Sequence, residues 1–246
     1  MTQWFEDESF WQEFYQFMFS EERFNTASEE VTKILERANF SGTKVLDLCC
    51  GPGRHAVELA KQNLQVTGMD KSNFLLNKAK EYAEQNEVEV SFIEEDMRNL
   101  NLPDSFDLII NIYTSFGYFE DKNEDLLVLK NIYHALKKGG TFLIDVMGKE
   151  VLAKIYQNTM SERVSEDYLF IGRPSIEDNW SRVKNEWMVI KNGKCKEYRF
   201  IHTIYSGQEL KGLLETAGFK NIKLFGSFEG DEYGIDAKRL IATGVK

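Results

Sequence analysis

The period of the apolar positions changes several times along the chain. Between Trp4 and Phe24, Phe10, Phe14 and Phe17 recur at the spacing of one helix face, as do Trp11 and Tyr15. This stretch reads as a helix docked on the core or a lid over a ligand, and the two are compatible. A second helix is expected from Thr26, with Glu29 completing a capping box, to about Asn39. The rhythm then shortens. Lys44–Cys49 reads as a buried strand, Gly51–Gly53 as a turn, Ala56–Gln62 as a helix, and Leu64–Met69 as a strand. Phe74–Gln85 follows as a helix, with Val88–Ile93 and Phe106–Ile112 as further strands. A helix capped by Asp121 and Glu124 is expected to run to Gly139-Gly140, and Thr141–Val146 is the fifth strand. Such alternation predicts a parallel sheet with helices on both faces.

After about residue 160 the helices drop out. Tyr168–Ile171, Arg182–Ile190 and Lys194–Tyr205 read as strands, the last two joined by an Asn192-Gly193 turn. Ser206 and Glu209 form a capping box for a helix that ends at Ala217-Gly218. Asn221–Phe228 and Arg239–Val245 close the chain as a hairpin. The expected architecture is α/β and doubly wound: a mostly parallel seven-stranded sheet ending in an antiparallel hairpin, with an inserted antiparallel β region. Its parts are a helical lid or cap over 1–40, a core over 41–150, the insertion over 151–205, and a closing helix and hairpin over 206–246.

Composition narrows the classes of function. The net charge of −10 disfavours a phosphate backbone as partner, and no apolar run is long enough to span a bilayer. The acidic, aromatic N-terminus does not read as a signal peptide, so a cytoplasmic location is expected. Adjacent Cys49 and Cys50 lack the spacing of a zinc knuckle, and no metal site is expected.

The informative stretch is Val45-Leu-Asp47-Leu-Cys-Cys-Gly51-Pro-Gly53-Arg-His-Ala56, between a strand and a helix. Glycines there let a backbone approach a ligand, and the helix that follows offers free N–H groups. Asp70, ending the next strand, suits a carboxylate that accepts from ribose hydroxyls. Gly51, Gly53 and Ala56 also satisfy a dinucleotide fingerprint, which keeps an NAD-dependent oxidoreductase in view. Asp47 opposes that reading. Its charge would sit where a dinucleotide places its pyrophosphate, and it suits a cationic ligand instead.

The order Asp-Leu-x-x-Gly-x-Gly, Asp70, Glu95-Asp96-Met97 and Lys138-Gly139-Gly140 resembles class I S-adenosylmethionine-dependent methyltransferases. The resemblance spans roughly residues 26–148 and resumes over Ser206–Lys246. Thr114–Phe119 and the stretch from Phe225 are similar to a bacterial branch of small-molecule type. The resemblance implies a Rossmann-like fold with S-adenosyl-L-methionine as cofactor. It implies that Asp47 and the Gly51–Gly53 backbone hold the methionine part and Asp70 the ribose. Lys71 would lie beside ribose or adenine, Asp96 and Met97 at the adenine, and Asn111 to Tyr113 toward the methionine and the methyl group. Cys49, Tyr15 and Arg23 complete the expected cofactor residues, Arg23 by reaching the cofactor carboxylate.

On the acceptor side the candidates are His202, Tyr113 and Tyr205 as catalytic residues, with Tyr118 and Arg173 beside them. His202 has the side-chain chemistry of a base. His55 is expected to order the glycine turn. Trp180, Trp187, Phe200 and Tyr205 either line an acceptor pocket in the insertion or pack as core. The expected activity is methyl transfer to a small molecule by a monomer or homodimer. A catalytically silent cofactor-binding module is the alternative, and an RNA or protein acceptor is disfavoured by charge.

Overall fold

The computed structural model describes residues 3–246. Its main sheet has seven strands: β1 (Lys44–Leu48), β2 (Gln65–Asp70), β3 (Ser91–Glu94), β4 (Phe106–Asn111), β5 (Leu136–Val146), β10 (Lys220–Phe225) and β11 (Leu240–Val245). They lie in the order β10-β11-β5-β4-β1-β2-β3. The five central and early strands pair in parallel, while β11 runs antiparallel to both β5 and β10. Alternation along each strand sends residues to opposite faces. Leu46, Leu48, Ile109 and Phe142 join one core, with α1 (Glu8–Met18), α5 (Asn73–Gln85), α6 (Lys122–Ala135) and α8 (Gly207–Ala217). Val45, Val66, Leu108 and Ile110 join the other, with α3 (Ala27–Arg37) and α4 (Arg54–Lys61).

A second sheet holds β6 (Met160–Ser165), β7 (Tyr168–Glu177), β8 (Arg182–Lys191) and β9 (Lys194–Thr203), antiparallel throughout. It has one strand more than the pattern predicts. Residues 160–165 are almost wholly exposed, so this edge strand carries no apolar alternation to betray it. A short helix, α7 (Lys149–Ile155), leads into it.

Helix α1 joins the two sheets. Phe14 is fully buried and packs edge-on against Trp187 and Tyr198, each at 5.3 Å. Phe17 stacks on Phe170 at 3.9 Å, and Trp4, in a 3-10 turn at Trp4–Glu6, stacks on Phe200 at 4.5 Å. Trp187, Phe200 and Tyr205 are therefore core residues, whereas Trp180 is exposed.

Three local expectations are corrected. Thr26 makes no capping box, because a short helix α2 (Glu21–Asn25) runs directly into α3 and the Thr26 hydroxyl donates to Glu30 instead. Helix α6 stops at Ala135 rather than at Gly139. Residues 136–140 extend β5, and the Gly139 N–H donates to the Lys246 carbonyl at 3.1 Å. Strand β9 ends at Thr203, short of Tyr205. The Ser206–Glu209 capping box is present as expected, with Gly218 ending α8 in the left-handed region.

Phe14→Ala removes the centre of the α1 contact. It should cost about 3–5 kcal/mol of unfolding free energy, the usual range for a buried aromatic. Chemical denaturation measures it, and a loss of under about 1 kcal/mol would mean that α1 is not packed as described.

Candidate active site

The strand order reverses between β1 and β4, and the chain leaves their carboxyl ends in opposite directions. Loops there diverge into a crevice, as open α/β sheets require at such a point. The crevice encloses about 1040 Å³ of empty space, mouth included. Its floor comes from the tips of β1 to β4. Its roof comes from the N-terminal segment, through Phe5, Trp11, Met18, Phe19 and Arg23. None of the residues lining it comes from the second sheet.

Asp47, on β1, is 1 % exposed, and its Oδ2 has no hydrogen-bond partner. Burial pushes its carboxyl up to about 7; Arg54 opposes the rise and the Asp70 charge adds to it. Cys49, Gly51 and Gly53 then turn the chain through left-handed conformations, at φ of 61°, 54° and 78°. Gly53 has a further reason to be glycine, since a Cβ there would lie 2.8 Å from the Ala79 Cβ. Asp70 braces this turn by accepting from Gly51 N at 2.8 Å and Ser72 N at 2.9 Å. Burial still raises its carboxyl to about 6, against these backbone bonds. Two desolvated acids on adjacent strands, one with an unmatched oxygen, form a site for a cation that carries N–H donors.

Asp96 caps a 3-10 turn at Met97–Asn99. It is bound by Arg98 Nε at 3.0 Å and Nη2 at 2.7 Å, with Lys71 at 3.4 Å. Burial acts upward on this carboxyl, but the Arg98 bonds outweigh it and hold the group below its ordinary range. Met97 lies against Cys49, sulfur to sulfur at 3.7 Å.

At the other end of the crevice, Glu30 of α3 gathers Tyr113 Oη at 2.5 Å, His55 Nε2 at 2.7 Å and Arg54 Nη1 at 3.1 Å. Burial acts upward on Glu30, yet His55, Arg54 and Tyr113 hold it at about 2. Burial drives His55 down to about 4, so it is neutral at pH 7. Tyr113 and Thr114 both take left-handed backbone, at φ of 59° and 64°. Asp145 holds them there by accepting from Tyr113 N on its side chain and from Thr114 N on its carbonyl. Consecutive strained residues of this kind cost free energy and persist where the surroundings over-determine them.

The crevice brings together Asp47, Cys49, Gly51, Asp70, Lys71, Asp96, Met97, Tyr113 and Arg23 from the sequence-derived set, and Tyr118 from the acceptor-side candidates. It does not bring in the others. Gly53 caps α4 beneath the turn. Asn111 is buried and donates to the Leu48 and Ser115 carbonyls. Tyr15 packs on Phe74 and Phe19. His202 lies on β9, where its Nδ1 is 3.2 Å from the Asn185 amide and burial lowers it to about 4. Tyr205 is buried and donates to Asp125 at 2.6 Å, outside the crevice. Lining residues that sequence reasoning did not assign include Phe5, Trp11, Phe19, Arg54 and Phe119.

Residues 45–140 match the family model described as a methyltransferase domain. The chain thus carries the methyltransferase domain of an S-adenosylmethionine-dependent enzyme. It is 25 % identical over 224 residues to YqeM of Bacillus subtilis, a protein provisionally named a methyltransferase, covering 89 % of this chain and 90 % of that one. The fold is similar to that of an S-adenosylmethionine-dependent methyltransferase from Clostridium acetobutylicum, with a TM-score of 0.79 at 17 % identity, covering 96 % and 97 % of the two chains. It is also similar to the sugar N-methyltransferase KedS8 from Streptoalloteichus, with a TM-score of 0.69 at 16 % identity, covering 96 % and 92 %. The cofactor is S-adenosylmethionine, and the unmatched Asp47 oxygen fits its ammonium.

A cation at Asp47 and hydroxyl donors at Asp70 each select the ionised carboxyl, so binding below their pKa values must expel protons. Affinity for S-adenosylmethionine should level off toward about pH 8 and fall as the pH drops through about 7 and then about 6. The slope should approach about tenfold per pH unit for each proton expelled. Calorimetric titration from pH 5 to 8 measures this, and an affinity flat across that range would contradict it.

Proposed function

We propose that this methyltransferase acts on a small-molecule acceptor, with the cofactor lying across the tips of β1 to β3 beneath the N-terminal cap. The observation that carries the placement is the buried, unpartnered Asp47 carboxylate oxygen beside Asp70. In this reading Asp47 and the Gly51 turn take the methionine end, Asp70 the ribose hydroxyls, and Asp96, Met97 and Lys71 the adenine. Arg23 is exposed at the mouth, and its guanidinium donates to the Met18 carbonyl. It is placed to reach the cofactor carboxylate. A pyrophosphate in the same position would meet two acids, which argues against a nicotinamide dinucleotide.

The cofactor supplies an electrophilic methyl group when bound. What the chain supplies is alignment and exclusion of water. Phe5, Trp11, Phe19, Tyr118 and Phe119 give the crevice an aromatic roof and wall. Holding two reactants in near-attack geometry is worth about 7–11 kcal/mol, enough to leave little for a dedicated base to add. Of the three catalytic candidates, Tyr113 is the one that lines the space. Burial raises its hydroxyl, and Glu30 adds to the rise, so it serves as a positioned hydrogen-bonding group rather than as a phenolate. His202 and Tyr205 lie outside the crevice, and a role for either needs movement of the second sheet.

A soluble metabolite suits a narrow, roofed crevice on a chain of net charge −10, and a cytoplasmic setting accords with it. Among the described residues, no helix is long and apolar enough to cross a membrane. The sugar N-methyltransferase named among the structural neighbours supports the same acceptor class.

S-adenosylmethionine at a hundred times its Kd should stabilise the protein by about 2.7 kcal/mol, a rise in Tm of roughly 5–10 °C. NAD and NADP should not, and an equal shift from either would overturn the assignment. Asp70→Ala should abolish most of the shift. A panel of amines, sugars and hydroxylated metabolites with methyl-labelled cofactor tests turnover, and label reaching only RNA or protein would refute the small-molecule reading.

A further inference from the structure

Helix α5 starts at Asn73, three residues beyond Asp70, and part of its N-terminal capping comes from another segment of the chain. Ser72 accepts from Leu75 N at 3.2 Å in the usual capping manner. The Asn73 and Phe74 N–H groups donate instead to Glu8, at 2.9 and 3.3 Å, and the Ser72 hydroxyl donates to the same carboxylate at 2.9 Å. Glu8 is the first residue of α1, in the cap. The turn from Asp70 to Phe74 is thus gripped from two sides. Asp70 accepts from Ser72 N and Gly51 N on the core side, and Glu8 takes the remaining donors from the cap side. Next to it, Glu6 pairs with Lys71 at 3.2 Å.

Among the described residues, these contacts are the hydrogen bonds and ion pairs between residues 3–18 and the floor of the crevice. The opposite face of α1 is committed to the second sheet, through Phe10, Phe14 and Phe17 against Phe170, Trp187 and Phe200. The cap and the second sheet therefore form one aromatic body. That body meets the cofactor-binding turn through Tyr15 packed on Phe74 and, for its polar contacts, through a carboxylate whose partners water can replace.

We infer that Glu8 is a positioning residue for the cofactor: it latches the N-terminal cap to the turn that carries Asp70, so that closing the roof and shaping the ribose site are one event. This rests on the ribose lying at Asp70. The closed roof overlies the crevice, with Phe19 against Gly51, so a bound nucleoside leaves only when the latch opens. Charge-assisted hydrogen bonds of this kind are among the stronger polar contacts, and in the open form water satisfies the same donors. Removing the carboxylate therefore favours the open form.

The test is stopped-flow binding of S-adenosylhomocysteine, followed by the fluorescence of Trp4 and Trp11, with amide exchange of residues 5–19 measured alongside. Glu8→Ala should raise the dissociation rate roughly tenfold and change the association rate by less than about threefold, since the cost of losing such bonds falls on the closed complex. Ligand should protect residues 5–19 in the wild type and not in the variant. Glu8→Gln keeps one acceptor oxygen and should fall between the two, and it serves also if the alanine variant folds poorly. An unchanged dissociation rate in either folded variant, or a loss of affinity carried by association alone, overturns the latch. Asp70→Ala separates the two claims. If it loses binding while Glu8→Ala dissociates normally, only the latch fails; if it binds normally, the ribose placement fails and the latch with it.

Discussion

Two carboxylates taken out of water at neighbouring strand tips impose the main constraint on this molecule. Asp47 sits inside the sheet with an oxygen that no protein donor reaches, and Asp70 spends its bonds on the backbone of the glycine turn. Neither arrangement favours the unliganded fold, because burying an acid without a matching charge is costly. The structure keeps both, and the elements around them follow. The turn between β1 and α4 runs through three left-handed residues so that it can pass over Asp47 and reach Asp70. The crevice floor is acidic, and the ligand that relieves it is cationic.

The rest of the site manages water and shape. A roof of aromatic rings closes the crevice from the N-terminal side, and that roof packs on the second sheet as well as on the segments beyond β2 and β4. The insertion after β5 acts through the cap that it holds, not by lining the crevice. At the open end, Glu30, His55, Arg54 and Tyr113 form a satisfied ionic knot that ties α3 to the tips of β1 and β4. Such a network is rigid because each member is paired, and removing one would strand the others. It keeps Tyr113 and the strained turn after β4 in place beside the cofactor crevice.

The parallel core was legible because its signals are local. The buried runs of β1, β2, β4 and β5, the glycine turn, the Asn192-Gly193 hairpin and the Ser206–Glu209 capping box each depend on residues a few positions apart. Where the pattern misled, a competing partner or an exposed edge had intervened. Gly139-Gly140 looks like a helix stop, but the chain end at Lys246 pairs with it and draws residues 136–140 into β5. Thr26 looks like a cap, but Glu30 takes its hydroxyl. Strand β6 shows no alternation, because an edge strand with most of its side chains in water has no apolar face to display.

The same division runs through the site. Order and spacing marked Asp47, the glycines and Asp70, and the family resemblance added the Asp96-Met97 pair, since strand tips in a parallel sheet bring successive loops to one edge whatever the side chains elsewhere do. They could not mark Glu8, Glu30 or Arg54. These are ordinary charged residues on helix faces until folding sets α1 against α5 and α3 against the turn after β1. Nor could they separate His202 and Tyr205, which the fold sends behind an aromatic wall, from Tyr113, which it turns toward the crevice. Sequence by itself determined the chemistry of the sheet edge, a glycine turn between two acids, because that chemistry is written in residues a short way apart. Tertiary structure decided what covers the crevice and which of the candidate side chains line it. Those contacts join segments tens of residues apart, and their geometry exists only once both sheets have packed on α1.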